Sequence, residues 1–284
     1  MLERVDRVQL VVKDRQAAAR VFGELLGAQR VREASSAYLG AMRLVLALGS
    51  SEVELCEPSG PGPAAEHLRA HGEGLMTAGF STRDMGSLTA NLERHACRFA
   101  TEGAQIYLDP SQTLGMRVVI TPDAVRPRVG LVRHLYEVTN TLVSDWSAAA
   151  ERYTRIFGLD PSRFSRIKSE RFGYVGTLTL FDPADRLDRI EISQVTDPNT
   201  AMGRWAAKRG DSLYMCYCEV DDIRPIIERL TARGGRFTAR GQDPAVERDG
   251  LWIHPSALCG LLLGVSRTTV GWEWSGQPAR VEKL

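Results

Sequence analysis

The sequence has no excess of either charge, no long apolar run and no regular cysteine pattern. Its 36 Lys+Arg and 35 Asp+Glu leave a formal net charge of +1. Residues 1–130 hold 15 of each sign. Neither half is therefore a basic module, which excludes nucleic acid or an anionic membrane surface as a partner gathered by charge. Charge appears at once in Met1-Leu2-Glu3-Arg4, and the longest apolar stretches are strand-sized. No secretory leader or membrane span is expected, and a cytoplasmic location follows by default. Five cysteines (Cys56, Cys97, Cys216, Cys218, Cys259) are odd in number and irregularly spaced, which argues against a disulfide scaffold. Gly-rich phosphate loops, a Ser-His-Asp signature and zinc-ribbon spacing are also missing. Aromatics are sparse, at 7%.

What the 284 residues do contain is a 43% hydrophobic fraction and 25% charged residues, the balance of an ordinary globular protein. At roughly 150 residues per domain, that length predicts about two domains. The chain also repeats itself. Asp14 follows the strand-like run Val8 to Val12 and precedes a helical segment ending at Gly27. Asp145 follows Thr139 to Val143 and precedes another ending at Gly158. The Asp-to-Gly distance is thirteen residues in both, with Asp suited to the N-cap and Gly to a left-handed C-cap. A carboxylate inside a strand follows each, in Val53-Glu54-Leu55 and Ile190-Glu191-Ile192. Later, Asp109-Pro110-Ser111 and His254-Pro255-Ser256 each reach a glycine five residues after the proline, at Gly115 and Gly260. The elements read strand, helix, several strands, four times over, starting near residues 5, 75, 136 and 213. The expected fold is α+β: two tandem modules, each of paired βαβββ units forming a curved, cup-like sheet with helices outside. The boundaries read 1–122 and 133–275, with a linker at 123–132 and a loose tail at 276–284.

These phrases resemble the vicinal oxygen chelate superfamily, the glyoxalase, bleomycin-resistance and dioxygenase group. Val53 to Pro58, Arg189 to Ile192, Leu213 to Asp222 and Trp252 to Leu263 are most similar to methylmalonyl-CoA epimerase-like modules, here in tandem. The resemblance implies a small-molecule pocket inside each curved sheet and four strand positions for a divalent metal, usually His, Gln or Glu, His and Glu. In the first half these positions fall on Arg7, Glu54, Thr77 and Val119. In the second they fall on Val138 (or, one residue earlier, Glu137), Glu191, Met215 and Gly264. Only the two glutamates match, and a single carboxylate does not hold such a metal firmly. No metal and no cofactor is therefore expected. A homodimer is an arrangement the resemblance allows.

Alternation along strands then gives the cup contents. Gln9 and Arg117 join Arg7 and Glu54 in the first. Asn140, Leu142, Ser193 and Tyr217 join Glu191 and Met215 in the second. Glu54 and Glu191 are the candidate proton-transfer residues, and Arg7, Gln9, Arg117, Asn140, Ser193, Met215 and Tyr217 the candidate substrate contacts. Two readings of the first cup stand: a structural ion network around Glu54, or an arginine that holds a substrate carboxylate. Cys216 and Cys218 should pack on the helix side. His67 and His71, four apart on a helix, share a face, and His254, Trp272 and Trp274 read as packing. The expected function is a metal-independent isomerase, epimerase, cyclase or lyase acting on an organic acid, thioester or aromatic metabolite. The alternatives are a metal-free sequestering or resistance protein, or a metal-dependent dioxygenase or epimerase with unusual ligands.

Overall fold

The computed structural model describes residues 1–181, 186–240, 250–267 and 270–281. Its first module runs β1 (Arg4–Val11), α1 (Arg15–Leu26), β2 (Gln29–Ser36), β3 (Ala41–Leu48), β4 (Ser51–Pro58) and α2 (Pro63–His71). It continues as β5 (Gly74–Thr82), α3 (Met85–Arg94), β6 (Phe99–Glu102), β7 (Gln105–Leu108) and β8 (Arg117–Pro122). The second module repeats this order with β9 (Val132–Leu142), α4 (Trp146–Phe157), β10 (Phe164–Ser169), β11 (Tyr174–Leu180), β12 (Arg189–Val195) and α5 (Ala201–Arg209). Then follow β13 (Ser212–Val220), α6 (Arg224–Ala232), β14 (Phe237–Ala239), β15 (Leu251–Ile253), β16 (Leu263–Arg267) and a short α7 (Gly271–Trp274). Each module is one eight-stranded sheet, in the orders β2-β3-β4-β1-β5-β8-β7-β6 and β10-β11-β12-β9-β13-β16-β15-β14. The expected α+β architecture of paired βαβββ units is thus present twice.

Local chemistry sets the repeat. Asp14 accepts from the amides of Gln16 and Ala17, and Asp145 from that of Ser147, satisfying N–H groups that the first helical turn leaves open. Gly27 and Gly158 close the two helices at φ 73° and 62°, where an L side chain would be strained. The apolar face of each strand turns toward the helices. Val8, Leu10, Val53, Leu55, Val118 and Ile120 from one sheet share a single core with Val138, Ile190, Ile192, Cys216, Cys218 and Val265 from the other. Phe80 lies 6.2 Å from Phe157 and 5.7 Å from Phe181 across that junction. Polar clamps fix the modules to one another. Asp188 accepts from the Val5 amide at 2.7 Å, and Asn91 donates to the carbonyls of Arg155 and Ile156.

The segment expected as a loose tail is packed as far as the description reaches. Arg280 lies over Trp272 at 3.7 Å, and Val281 adjoins a small core with Tyr136 and Leu187. Residues 282–284 lie outside the described residues.

Candidate active site

The opposite faces of the two sheets form the cups, and the strand register aligns them residue by residue. Arg7 on β1 stands beside Glu52 on β4, and Glu137 on β9 beside Arg189 on β12. Each cup floor therefore carries the same ion pair with its polarity reversed: Arg7–Glu52 at 2.8 Å and Arg189–Glu137 at 2.5 Å. Two residues further along the second strand of each pair come Glu54 and Glu191. What surrounds these two carboxylates differs.

In the first cup, Glu54 has no accessible surface. One oxygen accepts from Arg7 at 2.6 Å and Gln105 at 3.3 Å, the other from Gln9 at 2.9 Å and Arg43 at 3.1 Å. Arg7 also meets Asp6, at 2.7 Å, and Arg126 reaches Asp6 and Glu52. Burial alone would raise the carboxyl of Glu54, but the charges of Arg7 and Arg43 outweigh it and leave its pKa lowered. Arg43 and Gln105 stand between it and a cavity of about 320 Å³, which Arg7, Arg43 and Gln105 line and Glu54 does not. The set has the form of an ion network around Glu54, with both carboxylate oxygens occupied. Arg117, expected in this set, lies apart, bonded to the Tyr38 hydroxyl at 2.9 Å and paired with Asp109 at 3.3 Å.

The second cup lacks that plug. Gly176 on β11 occupies the register position of Arg43, since each faces the residue two beyond the cup glutamate. Gly250 replaces Gln105, and Trp252 replaces Tyr107. A cavity of about 600 Å³ results. Its floor holds Glu137, Thr139, Glu191, Met215 and Tyr217. Phe172, Tyr174, Tyr214, Trp252 and Trp274 form aromatic walls, and Arg166, Lys168, Arg171, Arg204 and Arg240 stand around it. Gly264 is required beneath Tyr217, because a Cβ there would lie 2.1 Å from the phenol ring.

Glu191 opens partly onto this cavity. It accepts from Ser193 Oγ at 2.5 Å and Thr139 Oγ1 at 3.1 Å. Among the described residues no cation takes the place of Arg43 beside it. Burial, and next the charge of Glu137 in contact with it, push its carboxyl up to about 8. Tyr217 accepts from Trp252 Nε1 at 2.8 Å, which leaves its own hydroxyl proton for another acceptor.

Three expectations on β9 are corrected. Val138 and Leu142 belong to the helix-side core. Asn140 donates to Tyr153 Oη at 2.9 Å and to the Leu114 carbonyl, away from the cup. The cause is one extra residue between the matching strand position and the helix cap: Arg7 stands seven residues before Asp14, and Glu137 eight before Asp145. Counting back from the matching Asp caps thus put the second strand in the wrong phase, and Glu137 with Thr139 occupies the cup. Arg189 was legible by alternation from Glu191 and was missed, as were Trp252 and Arg240. Ser193, Met215 and Tyr217 lie in or beside the cup as expected. Trp274 lines it as well. His254 lines it too, its Nε2 2.7 Å from Thr238 Oγ1.

The donor set does not fit a divalent metal. Glu137 is taken by Arg189, Met215 offers a soft thioether, and Gly264 offers nothing. In the first cup two guanidinium groups occupy Glu54. Among the described residues no three His, Cys, Asp or Glu side chains come together.

A protein-family model, the Glyoxalase/Bleomycin resistance protein/Dioxygenase superfamily, matches residues 6–113 and 139–251. A comparison with curated protein sequences gives no match. Among solved structures, a triple mutant of 4-hydroxymandelate synthase from Streptomyces coelicolor is similar over 93% of both chains, with a TM-score of 0.70 and 16% identity. A xylose isomerase-like TIM barrel/4-hydroxyphenylpyruvate dioxygenase fusion protein matches 94% of this chain and 49% of its own, with a TM-score of 0.64 and 12% identity. Methylmalonyl-CoA epimerase from Mycobacterium tuberculosis covers 48% of this chain and 89% of its own, with a TM-score of 0.40 and 23% identity.

Proposed function

The chain belongs to the glyoxalase/bleomycin resistance/dioxygenase superfamily, and from that premise we propose that its second module is a metal-independent acid–base enzyme whose proton-transfer group is Glu191. The observation that carries this reading is the acid pair at the floor of the open cup. A carboxyl raised to about 8 is mostly protonated at neutral pH yet keeps a carboxylate fraction of roughly a tenth at pH 7. That places it near the range in which one group both donates and accepts a proton efficiently. Burial raises this carboxyl first, and Glu137, tied to Arg189, adds to the shift as a positioning residue.

The substrate is a small anion with a flat or apolar body. Arg204 and Arg240 are suited to its acidic group, and Arg240 is itself stacked on Trp274 at 3.7 Å. The aromatic walls take the body. Ionised Glu191 removes a proton from a carbon beside a carbonyl. The electron pair moves to the carbonyl oxygen, which the free Tyr217 proton stabilises, and the protonated Glu191 returns the proton to carbon. An isomerisation or epimerisation balances in this way without any other reactant. Glu54, sealed in the first cup, has no part in it.

The same aromatic walls favour a second reading, a protein that only binds such a ligand. Glu191→Gln separates the two. An enzyme loses turnover by about 10²–10⁴-fold while ligand affinity changes little. Unchanged turnover sinks the assignment of Glu191.

A further inference from the structure

A second cavity, of about 290 Å³, lies where the modules meet, between α2, β8 and the turn from α5 into β13. Its nitrogen groups come from both modules: His67 and His71 on α2, Arg117 on β8, and Arg209 at the end of α5. The two imidazoles lie edge to face at 5.2 Å. Nε2 of His67 is buried without a hydrogen-bond partner. Arg209 rests on Trp205 at 4.0 Å and reaches the His71 carbonyl at 3.3 Å. No carboxylate among the described residues lies within ion-pair distance of it.

Two acids also line the space. Glu66 is on the exposed side of α2. Asp211 is consumed elsewhere, accepting from the amides of Val143 and Ser144 and from Ser144 Oγ. Asp109 pairs with Arg117, but at 3.3 Å and from the rim. The side-chain charges that act on the imidazoles are cationic. Burial, then His71, Arg209 and Arg117, depress His67 to about 3, and burial, then Arg209, depresses His71. A half-buried set of donors, with His67 Nε2 lacking a partner and Arg209 lacking a carboxylate, is unfavourable as it stands. An oxyanion would relieve it, through guanidinium forks and imidazole N–H groups.

We infer that this junction cavity is a second ligand site, for a compact oxyanion, either a phosphate or a small dicarboxylate, held by Arg209, His67 and Arg117. It shares no lining residue with the acid-pair cup, so its occupancy does not depend on the reaction assigned there. The site exists only because the modules are joined, since Arg209 and Ser212 come from one and the other three groups from its neighbour.

The test is calorimetric titration of the full chain with inorganic phosphate, pyrophosphate and succinate at low ionic strength. One saturable equivalent per chain is expected, with affinity reduced about tenfold or more in Arg209→Gln and in His67→Asn. Glu191→Gln should bind as the parent does. Both site variants change partly exposed side chains, and unliganded melting temperatures confirm that they fold. Whichever of phosphate and succinate binds more tightly gives the ligand class. No saturable binding by about 10 mM, or binding untouched by both variants, overturns the inference. Uptake of one Zn²⁺ that is lost in His67→Asn, with no anion bound, also overturns it, in favour of a histidine metal site.

Discussion

Replacing Glu137 by Gln should pull the titration of Glu191 toward that of an ordinary carboxyl. Glu191 sits at about 8 instead of 4.5, a difference of about 3.5 units or roughly 5 kcal/mol against the charged form. Burial is the larger cause and survives the substitution. The charge of Glu137 is the second cause and is removed. Two like charges in contact, about 4 Å apart at an effective dielectric constant of about 20, repel by roughly 4 kcal/mol, an upper bound because Arg189 offsets the charge of Glu137. Arg189, freed from Glu137, adds to the shift in the same direction. The midpoint should therefore fall from about 8 toward the ordinary carboxyl range, by about one unit or more. Carbon-13 NMR of the glutamate side-chain carboxyls follows it without any substrate, and the signal missing in Glu191→Gln assigns it. A parent midpoint near 4.5, or one that does not move in Glu137→Gln, refutes the acid pair.

Three further outcomes follow from the same geometry. Glu54→Gln leaves Arg7 and Arg43 buried without their common carboxylate, so stability should fall by about 3–5 kcal/mol and the melting temperature by about 10 °C. A change within about 1 °C would mean that the network is not structural. The raised carboxyl of Glu191 binds a proton in the folded chain that the unfolded chain has released between pH 4.5 and 8. Its contribution is complete below pH 4.5 and is lost as pH rises through 8. Glu191→Gln should accordingly match the parent near pH 4 and exceed its stability by up to roughly 5 kcal/mol above pH 8, measured by urea unfolding. Arg240→Ala should weaken an anionic aromatic ligand of the second cup about tenfold and leave its neutral analogue unaffected; equal losses for both would remove Arg240 from the anion contact.

The fold was legible because its signals are local and come in pairs. Asp14 and Asp145 cap helices that Gly27 and Gly158 end, and the strands between keep a period of two. The first cup was legible in part: Arg7, Gln9 and Glu54 alternate into one cluster, while Arg117, expected with them, lies apart. The second failed at one point. A single added residue between the cup position and Asp145 changes the phase of the second strand, and a one-residue slip exchanges its faces. Asn140 was thereby placed in a cup that it does not enter, and Glu137 was held only as an alternative. The difference between a plugged and an open cup was beyond pattern reading. It rests on Gly176 and Gly250 standing opposite Arg43 and Gln105, a correspondence that appears only once strand pairing is known. The junction cavity likewise joins His67 to Arg209, which are far apart in the chain and brought together by packing between modules.

On the proposed reading the paired glutamates of the second cup share a proton and hold no divalent metal. Elemental analysis tests it most directly, on untagged protein incubated with Fe²⁺, Mn²⁺, Co²⁺ and Zn²⁺ and then freed of excess ion. Near-zero metal dependent on Glu191 is predicted in every case, with parent and Glu191→Gln alike. One tightly held equivalent per chain in the parent, lost in Glu191→Gln, would contradict it.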